Sequence, residues 1–144
     1  MIDNRLAPYG AFVLRVALGL MFIAHAYLKI GVFGVAGFEG FLGQLGLPAF
    51  LGWPIILGEL VGGIAILVGF ESRLVAAALL PVLLGAFWVH APNGWVFNAP
   101  NGGWEYPAFL TATALAHILI GQGAYAVRRS ALPAALVRRP ATAA

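Results

Sequence analysis

Four apolar runs, at about 8–30, 51–70, 74–90 and 106–127, approach the roughly 20 residues a helix needs to cross a bilayer. They are the strongest constraint on the fold, because lipid offers the backbone no hydrogen-bond partners and a spanning segment must satisfy its own. Composition closes the soluble alternative. Charged residues make up 9% of the chain and hydrophobic ones 62%, whereas an ordinary soluble domain carries about 25% charged residues. Neither a soluble enzyme nor a disordered chain fits. The expectation is an all-α integral membrane protein: a four-transmembrane-helix bundle forming one domain over 1–129, with a flexible basic cytoplasmic tail over 130–144.

The charges that are present mark the ends of the runs. Arg5, Arg73, Arg128, Arg129, Arg138 and Arg139 flank one side, and on the other only Lys29 lies near a span end. With an even number of spans, both termini are expected in the cytoplasm. The net charge of +3 thus reads as topology, and no nucleic-acid partner is expected. At the N-terminus, Ala24-His25-Ala26 resembles a signal-peptide cleavage site. Arg15 interrupts that segment and the apolar run continues past it, which favours a retained span. The chain has no cysteine, so it carries no disulfide and no thiol chemistry.

Two connections have their own character. Between spans 1 and 2, Phe38, Phe41, Leu42 and Leu45 recur at helical spacing before Pro48, as in a short amphipathic helix lying in the interface. Between spans 3 and 4, Ala91-Pro92-Asn93-Gly94 is repeated as Ala99-Pro100-Asn101-Gly102, two turns followed by Trp95 and Trp104. Trp53 and Trp88 join these at the same level, as in an aromatic belt.

Charged groups inside a span are costly, and they usually face the bundle interior. On span 1, Arg15, His25 and Lys29 share one face. Arg15 and Lys29 lie about 21 Å apart along the axis, so they cannot serve one site. Depth sorts the others. His25, Lys29, Glu59, His90 and Glu105 are expected to converge in the outer half, whereas Arg15 belongs to the inner half with Glu71 and Gln122. His117 falls near mid-membrane. The three histidines sit on separate helices without an i, i+4 pair, so neither a metal nor a haem is expected. Gly58 and Gly62 form a small-residue face that admits another helix, either span 1 or 4 of this chain or a second protein.

In order along the chain stand Arg15-Val16-Ala17-Leu18-Gly19 with His25 and Lys29, Gly46-Leu47-Pro48, and Gly58-Glu59 through Gly62-Gly63. Leu67-Val68-Gly69, Arg73, His90, Asn93-Gly94, Gly103-Trp104-Glu105-Tyr106 and Gly121-Gln122-Gly123 follow. As an ordered set over 15–129 these residues resemble the DoxX family of membrane proteins. Many relatives continue with a Ser-Leu-Asp-like ending where this chain has Ala126-Val127-Arg128-Arg129.

The resemblance implies a four-helix bundle in the bacterial cytoplasmic (inner) membrane. It bears on function through family members linked to thiosulfate:quinone oxidoreduction and to oxidative-stress complexes. The expected activity is therefore that of a quinone-interacting subunit of a membrane redox complex. His25, Lys29, Glu59 and Glu105 would donate to the quinone or relay protons, and Phe22, Trp88, His90 and Trp104 would bind it. The alternative is a non-catalytic anchor or assembly subunit that docks a partner protein, or another copy of itself, through the Gly58/Gly62 face.

Overall fold

The structure, a computed structural model, describes residues 3–128 and 130. It is all-helical, with α1 over Ala7–Tyr27, α2 over Val35–Gln44, α3 over Gly52–Val68, α4 over Ser72–His90 and α5 over Glu105–Ile120. A turn of π-helix, Leu28–Val32, extends α1. Short 3-10 turns precede α3 and follow α4.

Three stretches are long and apolar enough to cross a membrane: Ala7–Val32, Ala49–Val68 and Ser72–Asn93. The fourth apolar helix, Glu105–Ile120, has 16 residues, about 24 Å at the usual helical rise. It stops seven residues before the span end expected at Val127. Gly121 takes φ +100, a conformation closed to a continuing helix and open to glycine. Hydropathy does not register such a turn, because the residues beyond it remain apolar.

Helix α1 packs on α3, α3 on α4, α4 on α5, and α5 returns to α1. Leu18, Phe22, Ile66, Ala76, Leu79, Leu83, Leu110 and Ala114 fill the space between them. Their outer faces carry exposed Val13, Val61, Phe109 and Leu119, the apolar surface a bilayer requires. Glycine sets the tightest crossing. A Cβ at Gly19 would stand 2.7 Å from the Leu67 nitrogen, and one at Gly63 would stand 3.0 Å from the Gly19 oxygen.

The Gly58/Gly62 face is occupied from within the chain. A Cβ on Gly62 would meet Leu79 of α4 at 2.8 Å and Val75 at 3.2 Å. Helix α4, the third span, therefore takes the place expected for span 1, span 4 or a partner. Gly62 is thereby closed to a partner, whereas Gly58 is half-buried, with Leu79 3.7 Å from where its Cβ would stand.

Both ends of the ring are organised by loops. At one end, residues 121–128 fold back across the helix termini. The Ala124 amide donates to the Pro8 oxygen at 2.9 Å, the Arg128 amide to the Gly69 oxygen at 3.1 Å, and the Glu71 amide to the Arg128 oxygen at 3.1 Å. Arg128 also pairs with Glu71 at 2.9 Å. Because the start of α1, the α3–α4 turn and the segment after α5 meet here, the four long helices alternate in direction. At the other end, α2 buries Phe38 and Leu42 against Ile56 of α3, which is the helix expected from the 38–45 spacing. Of the basic tail expected over 130–144, all but Ser130 lies outside the described residues.

Candidate functional site

The site is built at the loop end, where the π-turn changes the register of α1. Such turns recur at functional positions because they re-aim a side chain within a helix. Here the turn carries Lys29, whose Nζ lies 2.7 Å from Glu59 Oε2 and 2.9 Å from Oε1. Glu59, the eighth residue of α3, is 4% exposed. Phe38 of α2 covers the ammonium, its ring centre 5.3 Å away. A buried ion pair is maintained only when geometry and further contacts offset desolvation, and the bidentate contact and the aromatic cover provide both.

One turn earlier, His25 Nδ1 lies 2.9 Å from the Met21 oxygen. A carbonyl only accepts, so Nδ1 carries the hydrogen and, in the neutral ring, Nε2 is left as the acceptor. The imidazole stacks on Tyr106 of α5, with centroids 5.8 Å apart and planes 20° from parallel. The Lys29 ammonium reaches back to the His25 oxygen at 3.4 Å, a long contact that links the ion pair to the histidine's own turn.

Tyr106 also faces outward. It helps to line an open cleft of about 350 Å³ with Trp95, Phe97, Glu105 and Phe109. A second, of about 260 Å³, lies among His90, Phe97, Gly102, Gly103, Tyr106 and Pro107. The loop over both clefts is tied down by its own polar residues. His90 Nδ1 donates to the Asn101 and Gly102 oxygens at 3.0 and 3.1 Å, and Asn93 Nδ2 donates to the same pair at 3.1 and 2.9 Å. The first Ala-Pro-Asn-Gly copy thus holds the second. Glu105 Oε1 accepts the Phe97 amide at 2.9 Å, fixing the far side of the loop to the start of α5.

The expected residues therefore fall into two groups. Lys29 and Glu59 pair between α1 and α3, with the His25 ring one turn away against Tyr106 of α5, whereas His90 and Glu105 shape the loop and its clefts. Among the aromatic residues expected to bind a ligand, Phe22 is fully buried in the core and Trp88 is exposed. Trp104 packs edge-on against Trp95 at 4.5 Å and Phe87 at 5.7 Å. None of these three lines either of the two clefts. Tyr106, Phe97, Phe38 and Asn93 do the positioning; Tyr106, Asn93 and Phe38 stood within patterns quoted from the sequence, though not as site residues, and Phe97 did not.

Comparison with known proteins gives the arrangement a lineage. The chain is 34% identical over 83 residues to "Putative oxidoreductase CatD" of Bacillus subtilis (strain 168), a match covering 58% of this chain and 60% of that protein. It is 35% identical over 89 residues to "Inner membrane protein YqjF" of Escherichia coli (strain K12), covering 61% of this chain and 67% of that one. No solved structure matches. The DoxX family model matches residues 10–91, which takes in Arg15, His25, Lys29, Glu59 and His90, and this multi-pass membrane protein belongs to the DoxX family.

Proposed function

We propose that this chain is a quinone-interacting subunit of a redox complex in the bacterial inner membrane. In this reading α1, α3, α4 and α5 all span the bilayer, and α2 lies in the interface. The arginine-rich end and both termini face the cytoplasm, as the positive-inside rule requires. The observation that carries the reading is Tyr106, which lines both apolar clefts while its ring stacks on His25. The larger cleft, about 350 Å³, is open to the surface, so one face of a bound ring would be left uncovered by this chain. Its flat aromatic walls and single carboxyl group suit a ring bearing carbonyl oxygens. The name of CatD brings oxidoreductase chemistry to this proposal, and that of YqjF the inner membrane.

A quinone supplies a couple of two electrons and two protons. The residues of the chain bind it and manage the protons. The Tyr106 hydroxyl donates to a carbonyl oxygen, and Glu105 exchanges protons with the outer water. Because reduction of a quinone takes up two protons, His25, once protonated at Nε2, would deliver one from the buried side. The Lys29–Glu59 pair, neutral overall, adds no net charge beside that imidazole. Since the chain has no cysteine, it holds no thiol couple, and electrons come from a partner subunit or a soluble donor.

Titration of the purified protein with short-chain benzoquinones and naphthoquinones, read by quenching of Trp95 and Trp104 fluorescence, tests the reading. Saturable quenching is expected. Tyr106→Ala weakens it about tenfold through the lost ring contact and hydroxyl, and Trp88→Phe leaves it unchanged. If neither quinone class saturates, or if Tyr106→Ala binds like the wild type, the proposal fails.

A further inference from the structure

At the opposite end of the ring, the buried Arg15 and His117 and the half-buried Arg73 surround the first turn of α4. Arg15 is 1% exposed. One of its terminal nitrogens donates to the Gln122 oxygen at 2.7 Å and the other to the Tyr125 oxygen at 3.3 Å. Arg73, in the first turn of α4, donates through Nη2 to the Leu119 oxygen at 3.1 Å. His117 is fully buried, with Nε2 3.0 Å from the hydroxyl of Ser72. In each case one further nitrogen is buried without a partner among the described residues: Arg15 Nε, Arg73 Nε and His117 Nδ1. In the tautomer in which the Ser72 hydroxyl donates to Nε2, the His117 ring carries its hydrogen on Nδ1 and all three are donors.

Two glycine turns make room for the guanidinium groups. A Cβ at Gly69, just before α4, would stand 2.6 Å from Arg15 Nη1, and one at Gly121 would stand 2.6 Å from Arg73 Nη2. Neither arginine has a carboxylate partner among the described residues. Among the described residues the ion pairs are Lys29–Glu59 and Arg128–Glu71. The first-turn amides of α4 lie outside its own ladder and add a partial positive charge.

Two guanidiniums, a ring N–H and a helix N-terminus together form the donor set that recognises a tetrahedral oxyanion. Simple anchoring of the C-terminal segment would use only the Nη atoms, and that leaves the Nε and Nδ1 donors without a role. Because α5 stops at Ile120, His117 stands one turn from a helix end and not near mid-membrane as expected, so the cluster sits among span ends, on the end that also carries Arg5 and Arg128. From this we infer that the arginine end of the bundle binds a phosphate group between Arg15, Arg73 and His117, supplied by the headgroup of an anionic phospholipid. The long Tyr125 contact is the one the phosphate displaces. The site is remote from the quinone cleft and does not depend on it.

The test uses the full chain in nanodiscs of phosphatidylcholine with and without phosphatidylglycerol, followed by native mass spectrometry. The wild type is expected to retain a phosphatidylglycerol molecule. Arg73→Gln retains it about tenfold more weakly, as expected for loss of a charge-assisted bond, and Arg128→Gln behaves as the wild type. Should Arg73→Gln fail to fold, His117→Phe reads the same site and is also expected to weaken retention. In a separate arm, inorganic phosphate that displaces the lipid and by itself raises the unfolding temperature supports the oxyanion site with free phosphate as its source. Absence of binding by both probes overturns the inference. So does equal loss of retention in Arg73→Gln and Arg128→Gln, since surface charge alone would then account for the lipid.

Discussion

Lys29 and Glu59 show how a single pair can dominate its surroundings. Both are largely buried, with side-chain exposures of 13% and 5%, so each depends on the other for charge compensation. Glu59→Ala leaves the ammonium unpaired and is expected to cost about 3–5 kcal/mol of stability. Lys29→Met combined with Glu59→Leu is expected to recover most of that loss, because apolar replacement of both partners is often neutral. Unfolding in a denaturing-detergent titration, run as a double-mutant cycle, checks this. A double variant as unstable as Glu59→Ala would mean that the carboxylate compensates a group other than Lys29. This pair was legible before folding, since helical rise alone puts the two residues at one depth. Tyr106 was not singled out. A tyrosine at the start of a span reads as part of an interfacial belt, and only the packing of α5 beside α1 brings its ring onto His25.

Between elements, glycine decides how closely helices approach. Gly19 and Gly63 allow α1 and α3 to meet backbone to backbone, and this contact sets the distance across which Lys29 reaches Glu59. Gly19→Ala is expected to force the helices apart at a cost of about 1–3 kcal/mol. Gly37→Ala, on α2 with open space where its Cβ would sit, is expected to be neutral or to stabilise by up to about 1 kcal/mol. Thermal unfolding of the two variants side by side checks the contrast, and equal effects would remove close approach as the explanation. The small-residue pattern was visible in the sequence, but the partner was not. Gly62 packs on α4 and Gly63 on α1, because neighbouring glycines on one helix point to different faces. The end of α5 was hidden for a related reason: its signal is the backbone angle of Gly121, whereas the residues beyond continue an apolar run.

At the scale of the whole molecule, the alternating helices gather charge at one end and aromatic residues with the Asn-Gly turns at the other. In the proposed topology the 91–104 loop faces outward and the N-terminus inward. The chain has no native cysteine, so single cysteines report cleanly. Asn98→Cys, at an exposed loop position, is expected to react with a membrane-impermeant maleimide in spheroplasts. Asn4→Cys, also exposed, is expected to react only after lysis, and reversed labelling would invert the topology. What the sequence determined by itself is the solvent, the helical class, the positions of three apolar stretches long enough to span, and the depth of Lys29 and Glu59. These follow from quantities that add along a chain: hydropathy, charge and rise per residue. Which helix fills the glycine face, where α5 stops, how the loop folds over Tyr106 and how Arg15, Arg73 and His117 gather around α4 were settled only in three dimensions. Each depends on contacts between residues distant in sequence, or on a backbone angle that composition does not record.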